Sequence, residues 1–488
     1  MSIQYQHEIE SHILQQYEIQ KVLGEGSYGK VWKAIDRSNN NIQAIKKIKG
    51  AFRNSVDAKR TVREVCFLSQ LSNHQSFVCL DKVIQSKNSN DLYLVFEYVF
   101  SDLHKVQNLD IQVIQSKQLM PIQQNFIIYQ LLKALDYIHS GGLIHRDLKP
   151  SNILIQKTCH IKLADFGLAR TYQDTDETIC GYTQNVATKT YRAPEILFNS
   201  SIYSSSVDMW NVGCILYEMI SGQALFKQQQ DFSQIAEMFE ILGVPKYADI
   251  KSFQLNQKNL KTLQSLTTGV EKKYPKLYEM MSSFDPLERD FIRKCLQYNP
   301  KQRMSASEAL KHPYLKNLTP IFEAQLGRQS PMPPSPSVQQ FQALKNDNEL
   351  YSVQEYKDIV NKLINFRRGN IYQFKTEYNR SVSTYSNHQN IIQTPYKTVA
   401  ANNLSPQQHH SPKLCPFQLH TRTQSDQFFS SQSQQILSEH LANTFQKPFL
   451  NKTTKKLSEI DQNASNVSQI KRKQSIQTSS SLVQSPHY

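Results

Sequence analysis

Two short segments constrain this chain most: HRDLKPSN, which ends at Asn152, and DFG, which begins at Asp165. They supply a carboxylate that can accept a hydroxyl proton (Asp147), an ammonium (Lys149), and an amide and a second carboxylate that can hold a metal ion (Asn152, Asp165). Phosphoryl transfer needs little covalent help but much positioning and charge neutralisation, so such groups must converge on phosphate oxygens and magnesium. These motifs at this spacing predict a phosphoryl-transfer site.

A glycine cluster near the N-terminus predicts how the phosphates would be covered. Gly24, Gly26 and Gly29 lie between two segments of alternating apolar and polar residues, which predicts two strands joined by a flexible turn. The same G-x-G-x-x-G spacing leads into a helix in dinucleotide-binding folds. Here a strand containing Val31 follows, which favours a lid over the phosphates of ATP. The predicted nucleotide-binding residues of this region are Leu23, Gly24, Glu25, Gly26, Ser27, Tyr28, Gly29, Lys30 and Val31.

A lysine and a glutamate further along form a predicted pair. Lys46 ends an Ala-Ile-Lys run in the next predicted strand, where a lone lysine is more often a solvated charge. The segment SVDAKRTVREVCFLSQL predicts a helix with Glu64 in its middle. A carboxylate there can hold the Lys46 ammonium against the α- and β-phosphates, so we predict catalytic roles for both residues.

Together these motifs resemble the catalytic core of eukaryotic protein kinases over about residues 17–315. The resemblance implies an α+β, bilobal fold, with a small β-rich N-lobe and a large, mainly helical C-lobe, and it implies ATP and Mg²⁺ as cofactors. Lys149 is typical of Ser/Thr kinases rather than tyrosine kinases. The adenine would lie between Val31, Ala44 and Leu154, next to Phe96 and the hinge residues Glu97 and Tyr98. In this family the residue matching Asp208 braces the catalytic loop, and the residue matching Glu195 pairs with the one matching Arg303.

Further segments resemble the mitogen-activated and cyclin-dependent (CMGC) group. In VATKTYRAPE, Val186, Ala187 and Arg192 match a pocket that prefers proline after the phosphoacceptor. AFRNSVDAKRTVREV and YSVQEYKDIVNKLI resemble the atypical seven/eight class of extracellular signal-regulated kinases. The resemblance therefore implies protein substrates with Ser-Pro or Thr-Pro sites.

The activation region departs from that family. Where mitogen-activated kinases carry Thr-x-Tyr, this chain has Thr183, Gln184 and Asn185, so the usual dual phosphorylation is excluded. Arg63, Arg146 and Arg170 match the family's phosphothreonine-binding triad, and a phosphate could bridge their charges. The sequence predicts a single-threonine switch at Thr183. A constitutively ordered loop would make Thr183 a plain surface hydroxyl instead.

The route of activation can follow one of several schemes. After HPYL the chain has Glu323 alone where an acidic docking cluster is usual, which favours autophosphorylation over an upstream activating kinase. A cyclin-dependent-like kinase would instead need a partner subunit. A catalytically silent scaffold is a weaker interpretation, because silent members of the family generally lose the lysine, the catalytic aspartate or the metal-binding aspartate. Here all six site residues are retained: Lys46, Glu64, Asp147, Lys149, Asn152 and Asp165.

Composition divides the remaining chain. We predict an N-terminal extension (1–16), a linker (316–350), a short helical extension (351–368) and a disordered Ser/Gln/Asn-rich tail (369–488). The net charge is +15, and the basic tail is either a plain solvated segment or, as the alternative, a segment that contacts acidic surfaces. Seven dispersed cysteines predict an intracellular protein, cytoplasmic or nuclear, and no apolar run is long enough to predict a membrane span. We expect a monomer. The family resemblance adds a cilium or basal body to these predicted locations.

The seven predicted autophosphorylation sites are Thr319, Ser330, Ser335, Thr394, Ser405, Ser411 and Ser485.

Overall fold

The computed structural model describes the chain in several ranges. These are residues 7–26, 29–72, 74–107, 119–171, 189–198, 200, 204–267, 275–327, 341, 343–344 and 349–365. All of them belong to one compact unit, and a second unit, Gln373–Lys447, lies outside the described ranges.

The N-terminal part contains a five-stranded antiparallel sheet with the strand order β1-β2-β3-β5-β4. Its strands are β1 (Tyr17–Gly26), β2 (Gly29–Asp36), β3 (Ile42–Ile48), β4 (Leu80–Gln85) and β5 (Leu92–Glu97). Gly26 pairs with Gly29 at the end of the β1–β2 hairpin, and Val31 pairs with Lys46 across β2 and β3. Residues paired in this way lie on the same face of a sheet.

Helices cover both faces of this sheet. The short helix α1 (Ser11–Gln16) packs its buried Ile13 against Trp32 and Ile45 on the outer face. Helix α2 (Ser55–Leu71) lies on the other face and has the bounds predicted from the sequence. It begins where the side chain of Asn54 accepts a hydrogen bond from the backbone N–H of Asp57, which satisfies one of the free donors of the first turn.

Two small sheets connect this part to the helical part. One contains β6 (Ser101–Asp102), β8 (Ile153–Ile155) and β9 (Ile161–Leu163), and the other pairs β7 (Leu143–Ile144) with β10 (Arg170–Thr171). The HRDLKPSN and DFG segments are the loops between these short strands, so paired strands on either side hold both loops at the same end of the cleft.

The C-terminal part is helical. Its helices within the described ranges are α3 (Leu103–Gln107), α4 (Pro121–Ser140), α5 (Pro194–Leu197), α6 (Ser206–Ser221), α7 (Asp231–Leu242), α8 (Tyr247–Ser252), α9 (Gln257–Thr267), α10 (Leu277–Met280), α11 (Pro286–Cys295), α12 (Ala306–Leu310), α13 (Pro313–Lys316), α14 (Thr319–Gly327) and α15 (Val353–Asn365). Helix α6 is buried along almost its whole length, as its apolar sequence predicted. The β-rich and helical parts confirm the predicted bilobal α+β fold.

Two segments beyond residues 17–315 pack against this core. Helix α14 lies within the predicted linker and buries Phe322 against the rings of Phe126 and Tyr129 on α4. Helix α15 lies within the predicted helical extension and packs on α2 and β4, with Tyr356 fully buried. The predicted tail, 369–488, lies outside the described residues.

Candidate active site

A cleft of about 870 Å³ lies between the five-stranded sheet and the helical part. Most of the predicted nucleotide residues line it: Leu23, Gly24, Glu25, Gly26, Gly29, Val31, Ala44, Lys46, Phe96, Glu97, Tyr98 and Leu154. The side chain of Lys30 does not: it lies on the outer face of the sheet, 2.7 Å from Glu8. Ser27 and Tyr28 lie outside the described residues.

Close packing explains why the last position of the hairpin, Gly29, is a glycine. A Cβ atom on Gly29 would lie 1.9 Å from the carbonyl oxygen of Lys47, a separation that real Cβ atoms do not adopt. Cβ atoms on Gly24 and Gly26 would meet nothing within 4 Å. Gly29 is therefore required by the fold, whereas Gly24 and Gly26, which line the cleft, are not required by packing.

The predicted lysine–glutamate pair is formed. Lys46 Nζ lies 2.5 Å from Glu64 Oε1 and 3.8 Å from Asp165 Oδ1. Burial lowers the pKa of Lys46, but the two carboxylates outweigh it and hold that pKa above its usual value. Burial would raise the pKa of Asp165, but nearby cations, first Lys46 and then Arg60, hold it well below its usual value. Both groups are therefore charged at neutral pH.

The catalytic-loop residues form a compact hydrogen-bonded cluster. Lys149 Nζ lies 2.8 Å from Asp147 Oδ2. Asn152 Nδ2 donates to the backbone oxygen of Asp147 at 2.8 Å and to its Oδ2 at 3.1 Å, and the backbone oxygen of Asn152 accepts from Ala164 N at 3.0 Å. The last contact ties the catalytic loop to Asp165, the residue after Ala164.

A buried aspartate supports this loop from below. Asp208 on α6 accepts hydrogen bonds from the backbone N–H groups of His145 (2.9 Å) and Arg146 (2.8 Å), and its Oδ2 lies 2.8 Å from His139 Nε2. Arg146 and Asp165 have φ values of 68° and 64°, which non-glycine residues rarely adopt. Asp208 thus helps to hold a strained loop, and His139 is a contributor that sequence reasoning missed.

A second buried ion pair lies in the helical part and joins Arg303 to Glu195. Arg303 makes two parallel contacts with Glu195, of 2.6 and 2.7 Å, and both side chains are fully enclosed. The preceding segment is held by Lys189, whose Nζ lies 2.7 Å from Asp231, and the backbone N–H of Arg192 donates to the Lys189 oxygen. Arg192 is half-buried, and its pocket partners Val186 and Ala187 lie outside the described residues.

The three predicted phosphate-binding arginines come from different elements. Arg63 lies on α2, which packs against the turn Phe166–Leu168, and Arg170 pairs across β7–β10 with Ile144, two residues before Arg146. Arg63 and Arg170 are almost fully buried and Arg146 is half-buried. Thr183 lies outside the described residues.

Two further residues at the cleft were missed by the sequence reasoning. Arg60, one helical turn before Glu64, lines the cleft beside Asp165 and Gly167. Lys105 on α3 donates to the backbone oxygen of Leu23 at 2.8 Å and pairs with Asp102 at 2.9 Å, across the mouth of the cleft. For Arg60 the four-residue spacing from Glu64 on a predicted helix was a usable signal, since such residues share a face.

The donor set at Asp165 and Asn152 fits magnesium shared with phosphates. Within the described residues, no group of three or more His, Cys, Asp or Glu side chains could form an all-protein metal site. Mg²⁺ is a hard ion that is usually held by one or two protein oxygens together with substrate phosphates and water. One carboxylate and one amide oxygen at the end of an ATP-sized cleft match that mode.

Comparison with known proteins agrees with this geometry. The protein kinase domain family matches residues 17–315. This chain belongs to the protein kinase family.

The relatives are kinases of the mitogen-activated type. The chain is 42% identical over 311 residues to "Extracellular signal-regulated kinase 2" of Dictyostelium discoideum, covering 63% of this chain and 81% of the relative. It is 40% identical over 385 residues to "Mitogen-activated protein kinase 15" of Xenopus laevis, covering 78% of this chain but only 62% of the relative. With "Extracellular signal-regulated kinase 7" of Drosophila melanogaster it shares 40% identity over 305 residues, 61% of this chain and 32% of the relative. The predicted resemblance is confirmed: the domain is a Ser/Thr protein kinase domain of the mitogen-activated type.

Among the residues that the structure describes, no helix is long and apolar enough to cross a bilayer.

Proposed function

We propose that the protein is an ATP-dependent protein serine/threonine kinase that phosphorylates Ser-Pro and Thr-Pro sites. The observation that carries this proposal is the convergence of Lys46, Glu64, Asp147, Asn152 and Asp165 at one end of a single cleft. Holding several charged groups and an amide away from water costs free energy. A silent scaffold would gain nothing in return for that cost.

Each side chain of the cluster has a distinct role. Asp147 accepts the proton of the substrate hydroxyl, and Lys149, 2.8 Å away, neutralises charge on the group in transfer. Glu64 orients Lys46 toward the α- and β-phosphates, and Asp165 with Asn152 would hold the metal. Magnesium, if bound there with ATP, would supply positive charge to neutralise the phosphate oxygens. The protein's part is to keep these groups in place before the substrate arrives.

The inner part of the cleft suits an adenine ring. Val31 and Ala44 from the sheet and Leu154 from β8 supply apolar surfaces above and below, and Phe96 closes the back. Phe96 is only 8% exposed, so it leaves little room for larger groups behind the base. The backbone of the hinge, Glu97 and Tyr98, would supply the hydrogen bonds that orient the ring.

A direct test compares a Ser-Pro peptide with its Ser-Ala twin. The full chain should transfer phosphate from ATP to the proline peptide at least about tenfold more efficiently, with Asp147→Ala as the blank. Equal transfer to both peptides would contradict the proline preference while leaving the kinase assignment intact. No transfer by a folded, ATP-binding wild-type chain would contradict the kinase activity itself or show that it requires another factor.

We also propose that phosphorylation of Thr183, most simply by the kinase itself, activates the enzyme. Arg63, Arg146 and Arg170 support this, because a phosphate of charge about −2 can join cations from α2, the catalytic loop and β10. After phosphatase treatment, incubation with ATP should restore the activity of the wild type. Thr183→Ala should recover little of that activity. Asn185→Gln, two residues away, is the matched control. Full activity in dephosphorylated Thr183→Ala would exclude the switch.

The contacts of Glu323 favour self-activation over docking of an upstream kinase. Glu323, the single acidic residue at the expected docking position, already contacts Tyr129 Oη and lies 3.2 Å from Lys133 Nζ on α4. Its charge is thus engaged within the chain and less available for a basic peptide.

A requirement for a separate partner subunit is less well supported. A cyclin-like subunit would act on the helix that carries Glu64, and α15 of the same chain already packs on that helix. Tyr356 and Val360 are buried at 0% and 1% exposure, and Lys357 Nζ lies 5.6 Å from the centre of the Phe52 ring. The chain supplies in cis a contact that a partner would otherwise provide.

The Ser-Pro and Thr-Pro pairs beyond the kinase domain are proposed autophosphorylation sites. Thr319 is the one within the described residues, where it begins α14 and its Oγ1 donates to the Leu315 oxygen at 3.2 Å. A helical acceptor must unwind to enter the cleft, so Thr319 should be modified last. Mass spectrometry after incubation with ATP and magnesium tests this, and phosphate at non-proline sites alone would contradict it.

The remaining proposals concern location and contacts. A cytoplasmic or nuclear monomer, a cilium or basal body, and contact of the basic tail with acidic surfaces are all compatible with the sequence. Imaging of the tagged full chain and of a chain ending at Asn365 would separate the tail's contribution from that of the kinase domain.

A further inference from the structure

The N-terminal segment from His7 to Gln16 is built into the outer face of the kinase sheet. Ile9 and Ile13 are 3% and 0% exposed and belong to the same core as Trp32. Glu10 fixes the segment at two points, since its Oε2 accepts from the backbone N–H of Lys87 at 2.7 Å and its own N–H donates to Tyr93 Oη at 3.3 Å. The segment precedes the matched kinase domain, yet its apolar side chains form part of the core of the sheet.

The start of this segment reaches the base of the glycine hairpin. Glu8 Oε2 lies 2.7 Å from Lys30 Nζ, and Lys30 also lies 3.4 Å from Glu25, its partner across the hairpin. The backbone oxygen of Glu8 accepts a hydrogen bond from Lys47 Nζ at 3.2 Å. Glu8 therefore contacts β2 and β3 at the end of the sheet where the hairpin begins.

These contacts lie on the back of the surface that faces the phosphates. Val31 and Lys46 are paired and line the cleft, whereas Lys30 and Lys47, the adjacent pair, point to the opposite face. Gly29, next to Lys30, pairs with Ile48 on β3, and a Cβ atom on Gly29 would lie 1.9 Å from the Lys47 oxygen, so the hairpin backbone runs close to β3 here. Because Lys30 is the first residue after Gly29 and pairs with Glu25 across the hairpin, the position of its side chain is coupled to the backbone of the hairpin.

We propose that Glu8 is a positioning residue for ATP binding: acting through Lys30, it sets the height of the glycine hairpin over the phosphates without touching the nucleotide. Glu8 also raises the pKa of Lys30, in keeping with a direct charge contact. The inference rests on the proposed ATP-dependent activity. It concerns a residue outside the span of the kinase family match.

The test is Glu8→Gln in the full chain, with Glu18→Gln as the matched control. Glu18 is an exposed glutamate on β1 whose carboxylate contacts Gln20 rather than a cation. Glu8 is 41% exposed, and ion pairs of that kind correspond to roughly two- to fivefold in a binding constant. We expect Glu8→Gln to raise the KM for ATP and the Kd of ADP by that factor, with kcat, peptide KM and melting temperature unchanged. Glu18→Gln should change none of them.

Two further readouts separate positioning from a merely structural role. Raising the salt concentration should bring the wild-type Kd of ADP toward that of Glu8→Gln, because salt screens exposed charges. On a Lys30→Met background, Glu8→Gln should add nothing, since the partner through which it acts is gone. An unchanged Kd of ADP in Glu8→Gln, or a full additional effect on the Lys30→Met background, would overturn the proposal. Because ADP binding needs no transfer, this result is independent of whether the proline preference holds.

Discussion

Lys46 Nζ lies 2.5 Å from Glu64 Oε1, so β3 and α2 are joined directly at the phosphate end of the cleft. The pair is enclosed, with the two side chains 18% and 6% exposed, and Asp165 lies within 3.8 Å of the same ammonium. Burial alone would favour a neutral lysine, but the two carboxylates keep the pKa of Lys46 raised. The arrangement thus depends on contacts between elements that are distant in sequence rather than on any single motif.

Removing the carboxylate from this pair should impair catalysis more than folding. In Glu64→Gln the lysine loses its orienting charge, and misplacement of about 1 Å costs roughly 100-fold in rate. We expect kcat/KM for ATP to fall by about that factor, measured by steady-state phosphotransfer, with a melting temperature close to that of the wild type. A loss under about threefold would contradict the role assigned to Glu64.

Removing the negative charge of Glu195, the partner of Arg303, should impair folding more than catalysis. Glu195→Gln leaves a buried guanidinium without its counter-charge, which costs about 3 kcal/mol or more in the free energy of unfolding. Urea denaturation measures this. The matched control is Glu240→Gln, which removes an exposed pair with Lys276 at 3.1 Å and should cost less than about 1 kcal/mol. Similar losses in both variants would show that the Arg303 pair is not buried as described.

Acidification should destabilise the fold through a buried histidine. His74 is packed against Phe77 and Tyr137, and burial lowers its pKa to about 4. The unfolded chain binds this proton near pH 6.5, so stability is complete above that pH and falls as the pH drops toward 4. At pH 5 the loss from this group is about 2 kcal/mol. His74→Asn, which can still accept from Ser76 N–H, should show a smaller difference between urea midpoints at pH 7 and pH 5; an unchanged difference would refute this assignment.

The C-terminal helix should be needed for full activity. Tyr356→Ala removes a fully buried ring between α15 and α2 and should cost about 3 kcal/mol in stability. Because α2 carries Glu64, kcat should fall as well at temperatures where the chain remains folded. Tyr247→Ala, which truncates a tyrosine 75% exposed, is the control. A variant with normal kcat would show that α15 supports the fold without influencing the site.

Much of the site could be predicted from the sequence because its motifs are local. Asp147 and Asn152 are five residues apart in one loop, which brings their side chains within hydrogen-bonding distance. The bounds of α2 follow from a helical pattern that begins after Asn54. The prediction that Lys30 binds the nucleotide ignores the alternation of a strand, in which adjacent residues face opposite sides. Alternation from Val31 would have placed Lys30 outside.

Contacts distant in sequence were harder to anticipate. Ile9 and Ile13 lie in a short polar segment with too few apolar residues to indicate burial. Only the tertiary structure shows that they pack against the outer face of the sheet. Likewise His139 contacts Asp208 across 69 residues, a relationship that depends on how α4 and α6 pack. These long-range contacts are set by tertiary packing rather than by local pattern.

The most direct test separates binding from transfer at the two aspartates. Asp147→Asn and Asp165→Asn would be titrated with ATP in the presence and absence of magnesium, and then assayed for phosphotransfer to a Ser-Pro peptide. We predict that Asp147→Asn binds Mg–ATP within about threefold of wild type but transfers roughly 1,000-fold more slowly or worse, since it lacks the proton acceptor. Asp165→Asn should lose the magnesium-dependent part of ATP binding. If both variants bound Mg–ATP and transferred phosphate like the wild type, the cluster would not be the catalytic site.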